Sequence, residues 1–179
     1  MAKNARLQTA QDVATAALMV ALIEVCKLFM QGLPNIEMTS FLIILFTLRF
    51  GRLCLYAILA FILIEGLIYG FGPWWAMYLY IWPLLAFVAH AFRRVDSALF
   101  WAVVSGAFGL LFGLLCAIPY FFIGLAGGSL SQGLTQMFSW WTAGIAYDLI
   151  HGAGNFVLML ALYRPMSRLL ERIPQIIRR

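Results

Sequence analysis

Long apolar runs, each ended by a short polar or glycine- and proline-containing stretch, alternate along the whole chain. A helix that crosses a membrane needs about 20 mostly apolar residues, and most of these runs approach that length. The spacing predicts six helices, over residues 9–31, 38–50, 53–69, 74–92, 98–123 and 138–163. The second is short, Pro83 is expected to kink the fourth, and a glycine- and serine-rich loop over 124–133 is expected to separate the last two.

The composition indicates that these helices lie in a membrane. Hydrophobic residues make up 64% of the 179 residues, charged residues make up 11%, and the mean hydropathy is +0.94. Soluble domains contain about 45–50% apolar and about 25% charged residues. Because a chain this short exposes much of its surface, that surface must face lipid. We therefore predict a single all-α membrane domain over residues 1–179.

The positive charges predict the orientation of the bundle. With six spans, both termini share one side with the loops after the second and fourth helices. That side carries all the basic residues except Lys27, namely Lys3, Arg6, Arg49, Arg52, Arg93, Arg94, Arg164, Arg168, Arg172, Arg178 and Arg179. The positive-inside rule then places both termini in the cytoplasm. The net charge of +5 is thus explained by topology, and no nucleic-acid partner is expected.

Aromatic residues cluster on the opposite, outer side. Two Trp-Trp pairs, Trp74–Trp75 and Trp140–Trp141, lie there together with the loop residues Asn35 and Glu37. Interfacial tryptophan is common in membrane proteins, so a belt role is one interpretation. Stacking against a ligand is the other, favoured by Tyr78, Tyr80 and Trp82, which follow the first pair.

Two helices carry stripes of small residues, which allow helices to approach closely in lipid. On the first helix Ala10, Ala14, Ala17 and Ala21 share one face at helical spacing. Packing within the chain and docking of another membrane subunit both fit this stripe. On the fifth helix a stripe from Ala102 to Cys116 is expected to pack internally or to border a cavity.

The sixth helix has a polar face within its apolar run. Trp141, Asp148, His151 and Asn155 recur at helical spacing, and Glu65 on the third helix reaches a similar depth. Ionisable groups inside a membrane are costly and usually face a cavity or a partner. The face predicts either the polar floor of a binding pocket or an inert hydrogen bond between Asp148 and His151. Glu24 and Lys27, one turn apart, are expected to form an ion pair.

Motifs for catalysis and for metal binding are missing. The sequence has no HExxH, no phosphate-binding GxxxxGK[ST] loop and no serine-nucleophile motif. Cys26, Cys54 and Cys116 lie far apart in apolar runs, without metal-ligand spacing. We predict a protein that is not an enzyme and holds no metal or cofactor. A small intramembrane enzyme that uses Asp148 and His151 as an acid–base pair, and a homo-oligomeric channel, remain as alternatives.

Three segments carry a resemblance to a known family. AALMVALIEVCKLFMQGLPNIE resembles the first helix and first outer loop of the substrate-binding S components of energy-coupling factor (ECF) transporters, an ABC importer class. The family's AxxxA motif matches Ala17 and Ala21. The loop LPNIE and the segments EGLIYGFGPWW and DLIHGAGN add specificity, and the resemblance covers essentially the whole chain.

The resemblance implies a bacterial plasma-membrane protein that captures a vitamin in a pocket open to the outside. It implies a transmembrane coupling subunit (EcfT), contacted by the alanine face, and two cytoplasmic ATPases (EcfA and EcfA′), which bind the ATP. The loop over residues 32–38 is implied to act as a gate. The pocket candidates combine this resemblance with helical geometry: Asn35, Glu65, Tyr69, Trp74, Trp75, Tyr78, Trp141, Asp148, His151 and Asn155.

The ligand follows from the resemblance less directly. The sequence is most similar to the group associated with cobalamin, and the glycines of the fifth helix and of the loop after it are compatible with a roomy cavity. Pyridoxine or hydroxymethylpyrimidine, thiamin and queuosine remain as alternatives, because stacked aromatics with a few polar groups suit them all.

Overall fold

The structure of the chain, a computed structural model, describes the backbone of residues 2–177 and the side chains of residues 10–172. Over residues 2–177 it contains six helices, α1 (Ala2–Met30), α2 (Thr39–Phe50), α3 (Leu53–Tyr69), α4 (Pro73–Ala91), α5 (Ala98–Ala126) and α6 (Leu130–Ile177). The all-α prediction and the number of helices are thereby confirmed. Four of these helices are long and apolar enough to cross a membrane: the segments Ala10–Met30, Pro73–Ala91, Ala98–Ala126 and Leu130–Arg172.

The short helix α2 forms the centre of the bundle. Every residue from Thr39 to Thr47 is buried, and α2 contacts all five other helices. Its 12 residues extend about 18 Å, well short of the hydrocarbon thickness of about 30 Å. A helix that is apolar on all sides belongs in a core, and the sequence of α2 explains its central place.

The predicted loop over 124–133 is wrong in extent, because only residues 127–129 separate α5 from α6. The glycines at this point bring the two helices together. A Cβ on Gly133 would lie 2.8 Å from the carbonyl oxygen of Phe121, and one on Gly124 would lie 2.8 Å from the Cα of Gly133. The predicted helix 138–163 is correspondingly too short.

The small-residue stripe of α5 packs internally against α6. A Cβ on Gly109 would lie 2.8 Å from the Cα of Gly152, and one on Gly106 would lie 3.3 Å from the carbonyl oxygen of Gly152. The two backbones are therefore in direct contact along this stripe, and α5 and α6 form the most extensive helix pair of the fold.

The alanine stripe of α1 has the opposite environment. Ala10, Ala14, Ala17 and Ala21 are all exposed, while Met19, Val20 and Ile23 pack into the core. Within the part of the chain that the structure describes, the stripe therefore makes no close helix contact, and packing within the chain does not explain it.

Basic side chains from distant parts of the sequence meet at one end of the bundle. Arg49 donates to the carbonyl oxygens of Leu170 and Glu171, both at 3.2 Å. Arg164 donates to a carboxylate oxygen of Asp96 at 3.1 Å. The C-terminal ends of α2 and α4 and the last third of α6 therefore lie at the same end of the bundle. We call it the basic end. Lys3, Arg6, Arg178 and Arg179 lie outside the described side chains.

Candidate functional site

A cavity of about 380 Å³ opens at the end of the bundle opposite the basic end. It is bordered by the last turn of α1, the loop over 31–38, the last turns of α3 and the first turns of α4. Helices α5 and α6 each add one side chain. Its lining residues are Lys27, Met30, Gln31, Leu33, Asn35, Ile36, Glu37, Glu65, Tyr69, Trp74, Tyr78, Phe112 and His151. Aromatic and charged groups thus converge on one open cavity, as in small-molecule sites.

The cavity contains six of the ten side chains that the sequence predicts for a pocket. Asn35, Glu65, Tyr69, Trp74, Tyr78 and His151 line it, whereas Trp75, Trp141, Asp148 and Asn155 do not. The helical spacing identified residues at the depth of the cavity. The direction in which each side chain points, however, depends on the helices that pack around it.

Each of the four other side chains has a partner elsewhere. The indole of Trp75 donates to the carbonyl oxygen of Ile62 at 2.8 Å, and the ring of Trp141 lies 6.2 Å from that of Phe138. Asp148 accepts a hydrogen bond from the backbone amide of Gly113 at 2.9 Å. Asn155 donates to the carbonyl oxygen of Ser105 at 3.4 Å. The polar face of α6 is therefore divided, because Asp148 and Asn155 bond to α5 while His151 reaches the cavity.

The charged centre of the cavity is an ion pair between Lys27 of α1 and Glu65 of α3. The predicted Glu24–Lys27 pair is wrong, because the ammonium turns to the deeper carboxylate. Glu65 is 0% exposed, and a buried carboxylate is stable only when a cation compensates it. Among the described residues its second oxygen, Oε1, is buried and has no hydrogen-bond partner, so Lys27 is the group that compensates this carboxylate.

Three aromatic rings surround the ammonium of Lys27. The Nζ atom lies 5.8 Å from the ring centroid of Phe61, 5.3 Å from that of Tyr69 and 5.6 Å from that of Tyr78. All three distances are within the range of about 6 Å over which the negative face of a ring attracts a cation. We call the space between these rings and Glu65 the ammonium position.

Further aromatic contacts hold the wall of the ammonium position in place. The ring of Tyr78 lies 5.4 Å from that of Trp74 and 5.3 Å from that of Trp82, in edge-to-face geometry. The ring of Phe61 stacks on Tyr78 at 6.1 Å. Such pairs add roughly 0.5–1.5 kcal/mol each beyond burial, so the wall is preorganised.

The loop over 31–38 covers the cavity from the α6 side. Its Glu37 accepts a hydrogen bond from the hydroxyl of Thr39 at 3.2 Å and approaches His151, which is buried against Phe112 with ring centroids 4.9 Å apart. A Cβ on Gly154 would lie 3.4 Å from the side chain of Ile36. The loop therefore packs directly on α6 at this position.

The geometry gives Asp148 and His151 separate surroundings. Asp148 bonds to α5, and His151 faces Glu37 and Phe112, so the inert Asp148–His151 hydrogen bond considered as an alternative is replaced by these contacts. In the described part of the chain, no group of three or more His, Cys, Asp or Glu side chains is placed to hold a metal ion.

Lys27 and Glu37 are the charged cavity residues that the sequence analysis did not assign to the pocket. The signal for Lys27 was present, because it is the one basic residue away from the basic side in the predicted topology. Phe112 carried no such signal, since an apolar residue on an apolar helix is ambiguous.

No family model, curated protein or solved structure matches this chain. Fold and cavity define an all-helical protein with apolar helices long enough to cross a membrane and an aromatic, charged cavity at one end.

Proposed function

We propose that the chain is the substrate-binding S component of an ECF-type importer and captures a small vitamin in the cavity between α1, α3 and α4. The observation that carries the proposal is the cavity itself, in which one ion pair and a wall of aromatic rings face an open space of about 380 Å³. This combination binds and orients a ring-containing molecule.

The proposed topology places six helices in a bacterial plasma membrane, with both termini on the cytoplasmic side. The basic end then faces the cytoplasm, as the positive-inside rule requires, and the cavity opens to the outside. The α2 helix is too short to cross alone, and the loop over 31–38 adds the remaining depth. Irregular backbone is tolerated at membrane depth where it lines a cavity.

The proposed docking surface for a transmembrane coupling subunit is the alanine stripe of α1. Ala10, Ala14, Ala17 and Ala21 are exposed, and small side chains permit close approach of a second helix. Two cytoplasmic ATPases would supply the energy, because this chain carries no phosphate-binding loop.

The cavity volume supports the smaller candidate ligands. Cavities for drug-sized ligands measure about 300–1,000 Å³, and this one is near the lower limit. Pyridoxine, hydroxymethylpyrimidine and thiamin are compact enough for such a space. Cobalamin, a corrin macrocycle with an appended nucleotide, is much larger and would need the loop over 31–38 to open; queuosine is intermediate.

Calorimetric titration of the purified chain in detergent tests the proposal. The panel contains thiamin, pyridoxine, hydroxymethylpyrimidine, riboflavin, queuine and cobalamin. Tight binding of one compound, weakened by Tyr78→Ala, is expected, because Tyr78 forms the wall of the cavity. Absence of binding to any of them by protein that retains its helical circular dichroism would contradict the proposal.

A further inference from the structure

Glu65, in its ionised form, requires a positive charge next to it, whichever group provides that charge. Its side chain is 0% exposed, and an uncompensated buried carboxylate costs several kcal/mol. In the structure the compensating group is the ammonium of Lys27. A ligand that entered the ammonium position without a charge of its own would separate this pair and leave Glu65 uncompensated.

Lys27 is placed so that its ammonium can leave. It lies three residues before the end of α1 at Met30, and its side chain is 24% exposed. A lysine so close to a helix end can extend its flexible stem toward water while the stem stays against apolar surface. The carboxylate, by contrast, is fixed in the core on α3.

The ammonium position is itself built for a cation. Three ring faces point at it, and ring faces attract positive charge and repel negative charge. The carboxylate of Glu65, which pairs with the ammonium in the structure, provides the negative charge that a cation needs. Glu37 also lines the cavity, so its lining carboxylates outnumber its lining lysines.

We propose that the cavity selects an organic cation, whose charge replaces the Lys27 ammonium between Glu65 and the rings of Phe61, Tyr69 and Tyr78. The ligand class is an aromatic ring that bears a quaternary or protonated nitrogen. Lys27 moves toward solvent as the ligand binds, so that the charge next to Glu65 stays constant. This inference rests on the proposed function and specifies the ligand of that same cavity.

Lys27 acts in this scheme as an internal competitor. Only the fraction of molecules whose ammonium has moved away binds the cation, and the apparent affinity falls in proportion to that fraction. Removing the ammonium must then tighten binding of a cation. A lysine that contacts the ligand directly would give the opposite result, because its removal would weaken binding.

The test combines charge-matched probes with variants of the full-length chain in detergent. The probes are thiamin and 1-methylnicotinamide as permanent cations, nicotinamide and pyridoxine without a permanent charge, and nicotinate as an anion, titrated alongside the vitamin panel above. The variants are Lys27→Met, Lys27→Gln and Glu65→Gln. Arg52→Met, at an exposed arginine of the basic end, removes a charge far from the cavity and is the matched control.

We expect a cation to bind, to bind about tenfold tighter to Lys27→Met and to bind about tenfold to hundredfold weaker to Glu65→Gln. Arg52→Met should match the unmodified chain. A neutral or anionic vitamin that binds while both cations fail, or a cation that binds Lys27→Met more weakly, would overturn the inference and leave the proposed function standing. Absence of binding to any compound would overturn both.

A second readout uses the unmodified chain, in case the Lys27 variants do not fold. Lys27 and Lys3 are the only lysines in the sequence, so acetylation of Lys27 can be followed by mass spectrometry with Lys3 as the internal reference. Displacement toward solvent predicts faster acetylation of Lys27 when thiamin or 1-methylnicotinamide is present. Slower acetylation would show that the ligand covers Lys27, and would overturn the exchange.

Discussion

Glu37 in the loop between α1 and α2 places its Oε1 atom 3.8 Å from Nε2 of His151 on α6. The distance is too long for a direct hydrogen bond but within range of an electrostatic or water-mediated contact. The two residues connect a loop that covers the cavity to the longest helix of the bundle. The loop is thus held against α6 at two points, by this contact and by the packing of Ile36 on Gly154.

The first prediction concerns this contact. Glu37→Ala should raise the rate of ligand dissociation about threefold to fivefold, because a partly exposed polar pair contributes up to about 1 kcal/mol and its loss frees the loop to open. Dissociation is measured by dilution of the preformed complex of the ligand found by titration. Gln31→Ala, also in the lining but without such a contact to α6, is the control. An unchanged dissociation rate would show that the loop does not retain the ligand.

The second prediction separates docking from binding. If the proposed function holds, Ala17→Trp or Ala21→Trp should abolish vitamin uptake and co-purification with the proposed coupling subunit and ATPases, because an indole prevents close helix approach on the alanine stripe. Ligand affinity should remain unchanged, since the stripe faces away from the core. Leu22→Trp, on an exposed position of α1 outside the stripe, is the control. If ligand binding is lost and assembly survives, the alanine stripe belongs to the ligand site and is not the docking surface.

The helices were predictable because each is a continuous apolar run and the chain marks the ends of these runs with glycine, proline and arginine. The loop over 124–133 was not, because glycine has two uses that one sequence cannot separate. It permits irregular backbone, and it also permits close helix approach, as at Gly124 and Gly133. The pattern favoured the first use, and the structure shows the second.

For the polar residues of the cavity, the depth along each helix was predictable, but the pairing between helices was not. Depth along a helix follows from residue spacing, so Glu65 and His151 were placed at the right level. Pairing was not predictable, because the pattern shows only neighbours on the same helix. Lys27 therefore appeared to be a partner of Glu24, one turn away, although its partner Glu65 is 38 residues distant in sequence.

The third prediction compares two tryptophans that the sequence could not distinguish. Trp74→Ala should weaken ligand binding by about 1–3 kcal/mol, the range of a lost stacking contact, because Trp74 lines the cavity and supports Tyr78. Trp141→Ala should leave affinity unchanged, since its ring packs near Phe138 outside the lining. Titration of both variants with the same ligand is the measurement. A loss of affinity only in the Trp141 variant would place the binding site between α5 and α6.

The fourth prediction tests the contact between α5 and α6 with two glycines that differ only in surroundings. Gly109→Ala should destabilise the fold by about 1–3 kcal/mol, because the new Cβ would lie 2.8 Å from both the nitrogen and the Cα of Gly152, and backbone atoms cannot turn aside. Gly144→Ala on α6 is the matched control, since nothing lies within 4 Å of its Cβ position. It should be neutral or stabilising by up to about 1 kcal/mol, as alanine favours helix more than glycine does. Thermal unfolding of both variants in the same detergent measures the difference. Equal Tm values would mean that α5 and α6 are further apart than the structure places them, and the backbone contact at Gly109 would have to be abandoned.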